Sequence, residues 1–280
     1  MYISEETLDR FIHEDVPYLD LTTQVLGIGY KSGNISFITR ESGILSGSDE
    51  AARILRKLDV SPGFKLTDGA AVTPGQVLLQ AQGPASSLHS AWKVCLNILE
   101  YCSGIATRTR SLLDQARTVN PGINILATRK MFPGTRELSI KSVLAGGGWP
   151  HRLGLSETIL IFDQHMRFLS GIDELVNRIP QIRQDACEKK IIVEVQTLEQ
   201  AFSLAAAGVD GLQFDKLNPK QLKNHVEQLR KSYPDLLLIG AGGIKESNVI
   251  EYAATGVDAI VTTSMYFGRP LDIAANLEPA

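Results

Sequence analysis

From residue 123 onward, short apolar runs return at regular intervals: INILA (123–127), TILIF (158–162), IIVEV (191–195), GLQF (211–214), LLLI (236–239) and DAIVT (258–262). Amphipathic helical segments separate them. No other feature constrains the fold as strongly. Strands apolar on both faces must be covered on both, and strands alternating with helices are joined by crossovers, so the pattern specifies a parallel sheet clothed in helices. A weak internal repeat points the same way. Residues 201–212 (AFSLAAAGVDGL) resemble residues 249–260 (VIEYAATGVDAI): each reads as a helix, a stop at Gly208 or Gly256, a Val-Asp pair and a strand. Glycine is the residue best suited to a left-handed helix C-terminus. Repeated αβ units that close on themselves give a barrel; a doubly wound open sheet satisfies the same periodicity. No G-x-G-x-x-G follows a strand, there is no Walker A motif, and the glycines of 27–33 have the wrong spacing for either.

The first third reads differently. Ser4 is placed to cap a helix over about 5–14, with Leu8, Phe11 and Ile12 on one face. Residues 34–39 alternate like a strand, 48–59 read as a capped helix, and 77–82 follow the Pro74-Gly75 turn as a strand. A long helical stretch over 86–118 is interrupted near Ser103-Gly104. Strands and helices do not alternate regularly here, which predicts a small α+β domain beside the barrel, and 280 residues accommodate both.

Composition narrows the function classes. A net charge of −3 with no basic tail argues against nucleic-acid binding through bulk charge. Cys95, Cys102 and Cys187 are odd in number and lack C-x-x-C spacing, which argues against a disulfide framework or a zinc ribbon and fits a reducing cytoplasm; Cys95 and Cys102 read as core. The acidic, amphipathic N-terminus has no apolar signal region, and no run approaches the roughly 18 apolar residues of a membrane span. The expectation is a soluble cytoplasmic protein with no membrane partner.

In a barrel, side chains at the C-terminal strand ends share one site. Those ends carry Arg129 and Lys130, Asp163, Glu194, Asp215, the 240–243 segment, and Thr262-Thr263. Glu194 interrupts an otherwise apolar strand. A carboxylate there must be paired or bind a cation, because burying it alone is costly. Either a neighbouring Arg or Lys neutralises it, or it joins Asp215 as a metal site; two oxygen ligands plus a substrate phosphate is a common Mg²⁺ arrangement. Arg129-Lys130 and His151-Arg152 flank the glycines of 146–148, and such basic pairs suit carboxylate or phosphate recognition, or form a solvated face. In GAGGI (240–244), small residues after a late strand let backbone N–H groups approach a phosphate.

These residues also carry a resemblance. TRKMFPGTR (128–136) followed by GGGWPHRLGL (146–155) is similar to the signature of the quinolinate phosphoribosyltransferases, also called nicotinate-nucleotide pyrophosphorylases. EDVPYLDLTT (14–23), LNILEYCSGIATRT (96–109), VEVQTLEQA (193–201), FDKL (214–217) and GGI (242–244) match in order along nearly the whole chain. FPGTR, GGGWPHRLGLSET and VPYLDLTT most resemble the ModD variant, which is associated with molybdate transport. The resemblance implies an α/β fold: an incomplete parallel α/β barrel over 106–265 and an N-terminal α/β sandwich domain over 1–105, to which 266–280 return. It implies a homodimer or larger oligomer with shared active sites. It also implies Mg²⁺-dependent transfer of phosphoribosyl from phosphoribosyl pyrophosphate to a pyridine carboxylate. By position, Arg129, His151 and Arg152 would hold the acceptor. Lys130, Glu194 and Asp215 would contact ribose, pyrophosphate and its metal. Gly242 and Gly243 would cradle the 5′-phosphate, with Thr263 lining the same substrate site.

The chain departs from the family on the acceptor side. Phe162 stands where the quinolinate enzymes carry a lysine, Lys93 replaces an arginine lent by a neighbouring subunit, and Ala127 replaces an aspartate. Ile239 and Ala241 replace a glutamate and a serine. The donor half is the better preserved, so the expected acceptor is aromatic, carries fewer carboxylates than quinolinate and stacks on Phe162, unless Phe162 is simply a core aromatic. Two rival readings are an aldolase-like lyase with Lys130 as Schiff-base nucleophile, and a non-catalytic anion-binding or molybdenum-related protein derived from the enzyme.

Overall fold

Seven short strands, each hydrogen-bonded in parallel to its neighbour, form the sheet that the apolar runs specify. They belong to a computed structural model that describes residues 1–280. In chain order the first half contains α1 (Glu5–Asp15), α2 (Leu21–Leu26), β1 (Ser32–Thr39), β2 (Gly43–Ile44), α3 (Ser48–Lys57), β3 (Ser61–Lys65), β4 (Ala71–Val72), β5 (Val77–Pro84) and α4 (Ala85–Arg117). There follow β6 (Asn124–Ala127), α5 (Arg136–Ala145), β7 (Trp149–Pro150), β8 (Ile159–Ile161), α6 (Asp163–Met166), α7 (Ile172–Asp185), β9 (Ile191–Val195), α8 (Leu198–Ala207), β10 (Gly211–Asp215), α9 (Pro219–Ser232), β11 (Leu237–Ala241), α10 (Val249–Ala253), β12 (Ala259–Thr262) and β13 (Ile273–Pro279). No helix is long and apolar enough to cross a membrane.

The parallel sheet runs β8-β9-β10-β11-β12 in sequence and continues to β6-β7. This cyclic order never reverses, whereas a doubly wound sheet reverses at its switch point. Strands β7 and β8 do not pair, so the barrel is incomplete and open between them. Leu160, Ile192, Ile239, Ala241, Ala259 and Val261 pack together as its inner core, with Leu126, Phe162 and Leu237 against them. The internal repeat marks a structural device at the opposite, N-terminal strand ends. Asp210 accepts from Ile191 N–H at 2.8 Å and pairs with Arg183 at 2.8 Å; Asp258 accepts from Leu238 N–H at 2.7 Å and pairs with Arg230 at 2.6 Å. Each aspartate ties the start of one strand to the helix before it.

The chain divides into two units. One comprises residues 1–110, 131–147 and 265–280, and the other 111–130 and 148–264. The first unit holds an antiparallel sheet, β13-β1-β5-β3, whose buried face (Ile35, Phe37, Leu79) packs with Leu8, Leu55 and Leu99 of its helices. Ser4 caps α1 by accepting from Thr7 N–H at 3.1 Å. The final residues return to this unit, as β13 pairs antiparallel with β1 from Gly33↔Pro279 to Thr39↔Ile273.

Three sequence expectations need correction. Helix α4 is continuous through Ser103-Gly104. A Cβ at Gly104 would stand 3.1 Å from Arg269 O and from Pro270 Cα, so the glycine admits a neighbouring backbone instead of breaking the helix. Residues 131–147, read as part of the barrel, pack in the first unit. There Lys141 reaches Glu50 at 2.7 Å and Asp68 at 3.1 Å, and Leu138 packs on the N-terminal core. Strand β11 extends through Gly240 and Ala241, so only Gly242 and Gly243 follow it. The sequence also gave no sign of β7, two residues long and paired only to β6.

Candidate active site

Side chains alternate across a strand, so the inner core fixes which rim residues face the barrel axis. Leu160 and Phe162 share a face, as do Ile192 and Glu194, and Gln213 and Asp215. In register, Glu194 lies beside Gln213, Gln213 beside Ile239, and Asp215 beside Ala241. Thr128 and Thr263, just past β6 and β12, join through their hydroxyls at 2.9 Å, and His151 N–H donates to Ala127 O at 2.9 Å. The structure thus gathers Thr128, His151, Phe162, Glu194, Asp215 and Thr263 at the C-terminal end of one barrel. Arg129, Lys130 and Arg152 stand in the adjoining loops.

The carboxylates sit on neighbouring strands. Glu194 is half-buried and accepts from Gln213 Nε2 at 3.1 Å. Burial first, and the charge of Asp215 second, push its carboxyl above the ordinary glutamate value. Asp215 meets Lys216 Nζ at 3.5 Å. Gly242, with φ +88°, closes against this pair: a Cβ there would lie 2.5 Å from Lys216 N and 2.6 Å from Asp215 Oδ1. Gly243, φ +73°, has open space above it. The turn after β11 is therefore a bare backbone surface beside Asp215, suited to a phosphate.

The basic side is two guanidiniums and a neutral imidazole. Arg152 lies over the Phe162 ring, 5.8 Å from its centroid. Burial first, and then the like charge of Arg129, lower its pKa, and neither arginine forms an ion pair within the chain. Two cations close enough to repel, with no internal anion, are arranged for an external one. Burial, and then Arg152, pull His151 down to about 4, and its buried Nε2 has no hydrogen-bond partner. His151 is therefore uncharged at pH 7. Its folded value lies below the unfolded one of about 6.5, so the unfolded chain binds more protons between the two. The contribution of His151 to stability should be level above pH 7 and fall as the pH drops from about 6.5 towards 4. The imidazole proton shifts of His151, followed by NMR, should titrate near 4; titration near 6.5 would place the ring in solvent.

Phe162 faces inward, packed on the barrel core, with the His165 ring stacked at 5.8 Å. Lys130 is exposed, which lacks the desolvation that activates a Schiff-base lysine. Lys93 belongs to the first unit, exposed on α4 with its ammonium 5.2 Å from the Trp92 ring centre. Sequence reasoning missed Gln213, which is buried with Oε1 unpartnered. The signal was present: Gln213 interrupts the apolar strand GLQF as Glu194 interrupts IIVEV.

Comparison with known proteins agrees with this geometry. Residues 20–103 match the quinolinate phosphoribosyl transferase N-terminal domain, and residues 105–276 match its C-terminal domain. The chain is 37% identical over 278 residues to a Pasteurella multocida protein provisionally named pyrophosphorylase ModD, covering 99% of each. It is 34% identical over 280 residues to the carboxylating nicotinate-nucleotide pyrophosphorylase of Mycobacterium leprae, covering 98% of this chain and 97% of the relative. The crystal structure of NadC from Streptococcus pyogenes is similar over 100% of this chain and 99% of its own, with a TM-score of 0.90 at 26% identity. An incomplete barrel with this rim and this agreement along both domains leaves one assignment: the chain belongs to the quinolinate phosphoribosyl transferase family and is a phosphoribosyl-transferring enzyme.

Proposed function

We propose that this enzyme transfers phosphoribosyl from phosphoribosyl pyrophosphate to an aromatic acceptor with fewer carboxylates than quinolinate, releasing pyrophosphate. The observation that carries the reading is Arg152 lying over the inward-facing Phe162 ring. An aromatic face and a guanidinium together bind a flat ring bearing one carboxylate. With His151 uncharged and phenylalanine at 162, Arg129 and Arg152 are the cations on this side.

The donor lies on the opposite side of the rim. Its 5′-phosphate rests on the Gly242-Gly243 turn, its ribose faces Glu194 and Asp215, and Lys130 takes its pyrophosphate. The acceptor ring nitrogen donates its lone pair to the sugar C1. The bond from C1 to the pyrophosphate oxygen breaks, and its electron pair leaves with pyrophosphate. Positive charge developing at C1 is stabilised by the two carboxylates, and negative charge on the leaving group by Lys130. Thr128 and Thr263 fix the loop that presents Arg129 and Lys130: the two hydroxyls meet at 2.9 Å, and Lys130 N–H donates to Thr128 Oγ1 at 3.2 Å. Holding the reactants in line supplies much of the remaining rate.

Glu194 and Asp215 fit a divalent cation. They are inward-facing carboxylates on adjacent strands; burial first, and the charge of Asp215 second, raise the Glu194 value, and a cation relieves both. Glu194 and Asp215 would hold Mg²⁺, which would supply charge neutralisation for the departing pyrophosphate. The assembly we propose is a homo-oligomer in which exposed Lys93 comes to the site from a neighbouring copy.

Pyrophosphate release tests the reading against quinolinate and a panel of pyridine-like monocarboxylates that carry a ring nitrogen. The monocarboxylates should be turned over and quinolinate should not. Phe162→Lys restores a cation and should raise kcat/KM for quinolinate by about tenfold or more while lowering it for the monocarboxylate. Family-typical quinolinate turnover by the wild type would sink the acceptor assignment.

A further inference from the structure

Lys216 is one of two residues other than glycine with a left-handed backbone, at φ +60°. Long side chains avoid that region, which asparagine tolerates and glycine prefers. Strain kept at a site points to a use for the side chain that causes it. The position follows Asp215 directly, and Lys216 N–H donates to Ala241 O at 2.9 Å, locking the turn after β10 against the end of β11. The stem crosses Gly242 so closely that a Cβ there would stand 2.6 Å from Lys216 Cγ. Its side chain stays 80% exposed, and its ammonium meets only Asp215, at the loose distance of 3.5 Å. A lysine has three donors, and this one commits at most one.

We propose that Lys216 is a phosphate ligand of this enzyme, placing its ammonium over the Gly242-Gly243 turn to bind the 5′-phosphate of the donor. This rests on the phosphoribosyl pyrophosphate reading above. The chemistry requires a cation there. The turn lies beside Asp215 and near Glu194, so a phosphate dianion arriving on bare backbone N–H groups meets carboxylate repulsion. Lys130 follows β6 and is assigned to pyrophosphate, whereas Lys216 is the cation whose stem lies against Gly242.

The test is calorimetric titration of wild type, Lys216→Asn and Lys216→Arg with two separate probes, ribose 5-phosphate and Mg²⁺-pyrophosphate. Asparagine suits the left-handed backbone, so Lys216→Asn should melt at or above the wild-type temperature. It should bind ribose 5-phosphate about tenfold or more weakly and Mg²⁺-pyrophosphate within about twofold of wild type, while Lys216→Arg stays within about threefold for both. Unchanged ribose 5-phosphate binding by Lys216→Asn, or a loss confined to pyrophosphate, overturns the assignment and leaves the transferase reading intact. Failure of wild type to bind either probe or phosphoribosyl pyrophosphate overturns both.

Discussion

The Glu194→Gln/Asp215→Asn double variant is expected to bind phosphoribosyl pyrophosphate with Mg²⁺ at least about 100-fold more weakly than wild type, and to lose on the order of 10³-fold or more in turnover. Both carboxylates face the axis on adjacent strands, where the proposed metal and the positive charge at C1 would be held. Both replacements keep shape and remove charge. Folding should not suffer: burial and Asp215 already disfavour ionised Glu194, so a neutral side chain at 194 is tolerated at least as well at neutral pH. Calorimetric titration beside a thermal melt checks both halves. A folded double variant that still binds the donor would remove these residues from the donor site. Binding by neither protein would discard the proposed donor site.

Lys141→Met is expected to be the most damaging single change outside the site. Its ammonium is the hub of a cluster, 2.7 Å from Glu50 and 3.1 Å from Asp68, both buried or nearly so, and 3.4 Å from half-exposed Asp49; Glu50 is 1% exposed. Removing the cation leaves buried carboxylates uncompensated, a loss of roughly 3–5 kcal/mol, or about 10 °C in melting temperature for a chain of this size. Adding Glu50→Gln should recover part of the loss, which a double-mutant cycle would measure. The pH dependence has a definite sign. Burial lowers the lysine value, but the hydrogen bond to Glu50 and the charge of Asp68 outweigh it, and the net shift is upward. A raised cation contributes fully below its unfolded value of about 10.4 and loses its contribution as pH rises through the folded one. On the alkaline side, the gap between wild type and variant should therefore persist until about pH 10 and narrow above it. Equal melting of the two proteins would show that residues 131–147 are held without this cluster.

The amino-acid sequence by itself determined six of the seven barrel strands, because a segment buried on both faces is largely apolar and that pattern is local. It likewise placed Arg129, Lys130, Glu194 and Asp215 at one rim, since a strand's direction decides which end its last residues occupy. Motifs along both domains carried the family. What remained depends on contacts between residues distant in the chain, which no local period encodes. Ser103-Gly104 reads as a helix break, yet α4 runs through it because the backbone of residues 269–271 fills the space a side chain would take. Residues 131–147 follow a barrel strand but join the first unit, where Glu50 and Asp68 draw in Lys141. Register alone turned Phe162 and Gln213 inward. Burial beside Arg152 alone made His151 neutral, and only the folded backbone revealed Lys216 in a conformation its side chain disfavours. Sequence fixes what each segment can be; the packing of separate segments sets the charge, orientation and strain of the groups at the site.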